Sequence, residues 1–150
     1  MKAIVLAVLA GLCWGVGELF TKSVLHTKQV GPITAITVRS AVALPVIVVA
    51  YLVAMYGVKS EPARWWKTAD TSTVLKLVLG SGLIAGAAAM ICFYAALSLG
   101  EIGRIKPIAF ALAPATAVVL GWLVLGETMS AQKAIGVALI LTGVVVLTGK

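Results

Sequence analysis

Charge is scarce in this chain. Of 150 residues, five are Asp or Glu and twelve are Lys or Arg, 11% together. A soluble domain carries about 25%, so a water-facing globular surface is excluded. Histidine occurs once and cysteine twice. Those numbers give no metal-ligand spacing and no disulfide framework, and neither a metal site nor a cofactor is expected. Cys13 and Cys92 fall inside apolar runs, where a thiol packs as a small hydrophobe. There is no Ser/His/Asp set and no glycine phosphate loop, so the chain is not expected to be an enzyme. The net charge of +7 comes without a basic run interleaved with aromatics. Nucleic acid is therefore not an expected partner. The basic residues stand between apolar segments, as headgroup contacts and topology signals. No internal repeat is visible.

What is abundant is apolar sequence, 61% of the chain. It falls into segments at about 3–25, 32–58, 74–99, 107–125 and 131–147. Each approaches or exceeds the ~20 residues that cross a ~30 Å hydrocarbon core. The fold class expected is an all-α integral membrane protein, one domain over residues 1–150 with five transmembrane helices. Lys2 and the apolar run after it look superficially like a secretory signal. Leu12 precedes Cys13 where a lipoprotein signal wants a small residue, and the run continues to Gly17. A retained first helix is expected.

Punctuation supports these limits. Pro32 suits the first turn of the second helix, where its missing N–H costs nothing. Pro45 and Pro114 lie mid-segment and predict kinks. The one extended polar loop, 59–73, holds Trp65 and Trp66, read as interfacial anchors or as a ligand-stacking pair. Asp70, Thr71, Ser72 and Thr73 offer N-caps for the third helix. Thr128 and Ser130 do so for the fifth, with Glu127 favoured beside its positive end.

The chemistry concentrates in Gly11–Lys22. A charge deep in a membrane helix costs roughly 2.5–3.5 kcal/mol on insertion scales and faces a bundle interior or a watery path. Glu18 is such a charge. At ~100° per residue, Gly11, Gly15, Glu18 and Lys22 share one face, with Trp14 at its edge. Gly11 and Gly15 have the spacing that lets two helices approach. Glu18 is read either as a functional carboxylate or as an i,i+4 partner of Lys22. Arg39, two turns into the second helix, either snorkels to the headgroups or turns inward. Tyr94 is read as an interface anchor or a pocket hydrogen-bonder, with Ala95 and Ala96 leaving room beside it. Gly82 and Gly86 repeat the packing spacing and predict a central third helix. Gly136 and Gly143, seven apart, form a packing seam on the fifth.

Five spans put the two ends on opposite sides. Orientation normally follows excess Lys and Arg on cytoplasmic loops. One side holds Lys2, Lys59, Arg64, Lys67, Lys76 and Lys133, and the other Lys22, Lys28, Arg104, Lys106 and Lys150: six against five. Such a balance allows insertion in both senses. Transporters are often inverted repeats with the substrate at the repeat interface, and two opposed copies of this unit would rebuild one.

The chain resembles the EamA repeat of the drug/metabolite transporter superfamily. The residues that carry the likeness are Trp14-Gly15, Lys22, Arg39, the run Tyr94–Leu97, the run Gly100–Pro107, Ala113-Pro114, Leu125–Glu127 and the closing run Gly136–Gly143. The last fifty residues are the specific part. The resemblance is to the single-repeat branch. It implies secondary transport of small metabolites by alternating access, often export, in the cytoplasmic membrane of a prokaryotic cell. A more distant likeness is to the small multidrug resistance proteins, antiparallel dimers with a first-helix glutamate that handles proton and cation, and a glycine stripe at the dimer seam. Glu18 and the pair Gly136 and Gly143 match those features.

The expectation is thus a dimeric exporter of a small metabolite or organic cation, coupled to protons through Glu18. Trp14, Arg39, Tyr94 and Lys22 complete its substrate and proton site. Its partners are a second, antiparallel copy, the lipid bilayer, a small-molecule substrate and protons. The alternatives are a half-transporter or lipid-carrier flippase subunit needing a different partner, and a non-transporting scaffold, which would have little reason to bear the insertion cost of Glu18 and Arg39.

Overall fold

A computed structural model describes residues 2–62 and 64–149. Among the described residues six helices follow one another: α1 (Lys2–His26), α2 (Pro32–Val58), α3 (Trp65–Thr68), α4 (Thr71–Leu99), α5 (Ile102–Leu125) and α6 (Ala131–Thr148). No strand is present among the described residues. All but the one-turn α3 are long and apolar enough to cross a membrane, with mean hydropathy between 1.8 and 2.3. The chain is an all-helical, multi-pass membrane protein.

Local chemistry sets the helix ends. Pro32 opens α2 behind Gly31, whose carbonyl accepts from Ala35 N–H at 3.0 Å. Asp70 caps α4, accepting from Thr73 N–H at 3.3 Å and from the Thr73 hydroxyl. This starts α4 at Thr71, three residues before the apolar run begins. Ser130 caps α6, accepting from Lys133 N–H at 3.2 Å. Lysines end α1 and α2 in the left-handed region, Lys28 at φ 58° and Lys59 at φ 54°. That conformation costs a non-glycine residue roughly 1–2 kcal/mol, offset in part by a cation near the negative end of each helix.

The helices are not uniform. The last turn of α2, Val53–Val58, and a long part of α4, Lys76–Ala88, are wound in the wider π form. Ala89 N–H accordingly reaches Ile84 O, five residues back. The α4 stretch includes Gly80, Ser81, Gly82, Ala85, Gly86, Ala87 and Ala88, so few side chains resist the wider coil.

One boundary departs clearly from the sequence reading. The fourth spanning helix starts at Ile102, not Pro107. Glu101 is extended, and its carbonyl accepts from Arg104 and Ile105 N–H at 3.1 and 3.0 Å. Ile102–Lys106, left between the third and fourth apolar segments in the sequence, is therefore the opening of α5. Proline marks where a helix can start, but the Glu101 carbonyl had already started this one.

The chain divides into two compact units, residues 1–98 and 99–150. In the first, the buried side chains are Glu18, Leu25, Met55, Tyr94 and Leu97. The second is the α5/α6 hairpin, with Ala111, Ala115 and Gly121 buried. Gly126 turns the chain at φ 68°, and Gly121 O accepts from the N–H groups of both Gly126 and Glu127. Glu127 Oε2 pairs with Lys133 Nζ at 3.6 Å. At the other end Arg104 Nη2 donates to Thr148 O at 3.0 Å, tying the start of α5 to the end of α6. Large apolar side chains such as Leu6, Ile47, Leu83, Val124 and Val146 are exposed. In lipid that carries no penalty, since acyl chains are as apolar as leucine.

Candidate functional site

The first unit encloses a cavity of ≈ 120 Å³, lined by Cys13, Trp14, Gly17, Glu18 and Thr21 of α1 and by Arg39 of α2. Glu18 is 3% exposed. Trp14 is half exposed and also belongs to the wall. Glu18 lies about 12 Å of helix rise from the His26 end of α1, at 1.5 Å per residue. Arg39 is about 10 Å in from Pro32 by the same measure. Both are well inside a ~30 Å core, on the side where α1 ends and α2 begins.

Arg39 does not extend to the headgroups. Its Nη1 donates to Tyr94 Oη at 2.8 Å, and its guanidinium lies 5.8 Å from the Tyr94 ring centroid, within cation–π range. Tyr94 itself is fully buried. Its hydroxyl is also 3.5 Å from Thr21 Oγ1, and Thr21 donates back to Gly17 O at 3.2 Å. One buried phenol thus joins α1, α2 and α4. Tyr94 stands behind Arg39 and is not among the residues that line the cavity.

Lys22 takes a different position. Its Nζ donates to Leu97 O at 2.9 Å. Leu97 is in the last turn of α4, where carbonyls lack intrahelical donors and a cation meets the negative end of the helix. The Lys22 and Thr21 contacts, on adjacent residues, clasp α1 to the end of α4.

The cavity face is turned relative to the face singled out in the sequence. Cys13, Trp14, Gly17, Glu18 and Thr21 centre about a quarter turn away from Gly11, Gly15, Glu18 and Lys22, at 100° per residue. Glu18 lies on the edge common to both. Lys22 consequently leaves the cavity for α4. The open face holds Gly11, where an added Cβ would meet nothing within 4 Å.

The EamA-like transporter family matches residues 1–149. The chain belongs to that family. No curated protein and no solved structure matches it significantly. Membership in EamA makes the chain a membrane transporter of the drug/metabolite superfamily.

Within this EamA chain Gly82 and Gly86 are not among the residues that line the cavity. Gly136 and Gly143 on α6 also have open space where a Cβ would go. Gly82 and Gly86 meet only carbonyls of their own helix, Leu77 O at 3.5 Å and Ser81 O at 3.2 Å. α4 is not buried at this stretch: both glycines are exposed. Three lining residues were missed. Thr21 and Gly17 carry no charge to single them out in the sequence, and Cys13 reads there as a small hydrophobe. Their signal was positional, since Gly17 and Thr21 follow Trp14 at i+3 and i+7, which places all three on one side of a helix.

Proposed function

We propose that this EamA chain is a secondary active exporter of a small polar metabolite, working by alternating access in the cytoplasmic membrane of a prokaryote. The observation that supports it best is Glu18, buried in the wall of a cavity at membrane depth that Arg39 and Trp14 share. A carboxylate there binds a proton or a cationic group but not both at full strength. That competition is what exchange of one for the other requires. Inward movement of protons then drives substrate out, with no ATP site needed.

The functional unit is two chains in opposed orientation. The cavity, at ≈ 120 Å³, is smaller than the roughly 300 Å³ of small ligand pockets, so a second surface is needed to complete it. Gly11, Gly136 and Gly143 leave faces onto which another backbone can close. The near balance of basic residues across the two sides lets identical copies insert either way up. Reaction of a maleimide with a cysteine placed at Lys28 from both sides of the membrane is the expected result. Reaction from one side only argues for a distinct partner subunit.

The direct test uses proteoliposomes enclosing a pH-sensitive dye, challenged with small ammonium and amino solutes. Solute-dependent proton movement is expected, and Glu18→Gln should abolish it. Retained movement in that variant removes Glu18 from the coupling role.

A further inference from the structure

Resting on the transport reading of the cavity, we propose that the seam where the end of α1 meets the end of α4 is a gate. Lys22 is its latch, and the turn over residues 17–21 is the bend on which it opens. The seam borders the cavity. Thr21 is the lining residue nearest the end of α1, and its Oγ1 lies 3.5 Å from Tyr94 Oη. The next residue, Lys22, donates from Nζ to Leu97 O at 2.9 Å. Beyond it Leu25 is buried, as are Tyr94 and Leu97. Leu99, two residues past Leu97, is 90% exposed, so this burial belongs to the seam and not to helix ends in general. The contacts shut the cavity toward the side where α1 and α4 end.

The closure is built to release. α1, α2 and α5 are finished locally, by left-handed residues at Lys28, Lys59 and Gly126. The last turn of α4 takes a donor from another helix, a lysine 75 positions earlier. Lys22 is about 6 Å of helix rise from the His26 end and is partly exposed. Its flexible stem can also carry the ammonium to headgroup phosphates. Leaving Leu97 O therefore exchanges one acceptor for another and strands no charge in lipid. The Thr21–Tyr94 contact, at 3.5 Å, is longer than an ordinary hydroxyl hydrogen bond and gives way easily. The shorter bond of Tyr94, from Arg39 at 2.8 Å, joins α2 to α4 and does not cross the seam, so α1 can part from α4 while that pair stays intact. The bend lies just before the latch. Thr21 Oγ1 donates back to Gly17 O at 3.2 Å, a bond that often bends a helix. A Cβ at Gly17 would meet nothing within 4 Å, so close packing does not call for glycine there, whereas a pliant turn does.

The test reads the seam directly. Nitroxides are attached at His26→Cys and Ser98→Cys, both exposed positions, in a chain carrying Cys13→Ala and Cys92→Ala. Labelled chains are diluted into unlabelled ones in lipid nanodiscs, so that pulsed dipolar spectra report pairs within one chain. Two separations are expected. Lys22→Met should raise the share of the longer one at least threefold, and Gly17→Ala should lower it. Lys22→Arg, which can still donate to the carbonyl, should keep the distribution of the unsubstituted chain; a space-filling role would be met by methionine as well. One separation common to all these chains overturns the inference. So does Lys22→Arg behaving like Lys22→Met, or a share indifferent to Gly17→Ala. In proteoliposomes, a reversible thiol-reactive linker across the same two cysteines should stop the solute-dependent proton movement of the unlinked chain, and reductant should restore it. Movement that continues across a linked seam leaves the transport reading standing and removes the gate. Two separations governed by Lys22, with no solute moving protons in the native chain, keep the latch and remove transport.

Discussion

Tyr94→Phe removes one oxygen from the fully buried Tyr94. It leaves the ring, so no cavity opens and the guanidinium keeps its aromatic neighbour. The lost interaction is the 2.8 Å bond from Arg39. In soluble proteins a hydrogen bond to a charged group contributes about 1.5–3 kcal/mol. In bilayers interhelical hydrogen bonds average about 0.6 kcal/mol and reach about 1.7, because helices separated in lipid find other partners. Arg39 borders a polar cavity, so water can take up part of the vacated donor. The membrane range therefore governs, and the coupling between Arg39 and Tyr94 should lie near 1 kcal/mol. A double-mutant cycle of Tyr94→Phe, Arg39→Met and the pair, measured by reversible unfolding in bicelles, isolates it. Arg39→Met alone can be neutral or stabilising, since a half-buried charge disappears with its desolvation cost. Only the cycle is informative. Coupling below about 0.3 kcal/mol, the scatter of independent sites, would refute the claim that the phenol holds the arginine. Tyr94→Ala, which also empties a fully buried position, should cost several times more, about 3–5 kcal/mol by analogy with other large aromatic truncations.

Two further outcomes concern the connections. At Gly121 a Cβ would come within 3.2 Å of Glu127 Cδ and Oε2. Gly121→Ala should displace that flexible carboxylate and weaken its 3.6 Å pair with Lys133 at a cost under about 1 kcal/mol, as befits an exposed ion pair; a drop in melting temperature as large as that of Tyr94→Ala would show that the backbone had moved instead. Asp70 has its carboxyl held below its ordinary 3.8 by hydrogen bonds from the Thr73 hydroxyl and then the Thr73 amide. A depressed native value stabilises the start of α4 above the unfolded carboxyl range, and that contribution is lost as pH falls through the native value. A fall in the Thr73 amide protection factor, relative to the intrinsic rate at each pH, as pH drops through the native value, absent in Asp70→Asn, is the expected signature.

The fold was legible because a bilayer leaves little choice. With no water to satisfy backbone groups, an apolar run long enough to span must be helical. The runs, Pro32 at the head of α2, and the caps at Asp70 and Ser130 could all be read residue by residue. The start of α5 could not, because Ile102–Lys106 carries turn-like charge and lies in a helix only through the Glu101 carbonyl. The π winding of α4 was also invisible, since glycine and alanine permit it without demanding it.

Glu18 and Arg39 were identifiable from sequence alone, because a charge costs the same wherever the rest of the chain goes. Their surroundings were not. Whether Arg39 reached for headgroups or turned inward depended on a phenol 55 positions further along, and local spacing carries no information about such a neighbour. Lys22 shares a helical face with Glu18, and spacing on α1 could not show that its Nζ also donates to Leu97 O at the end of α4. Composition and periodicity determined that this protein lives in lipid and which charges it hides there. Tertiary structure decided which of those charges face a common space, because only packing brings together groups that the chain keeps far apart.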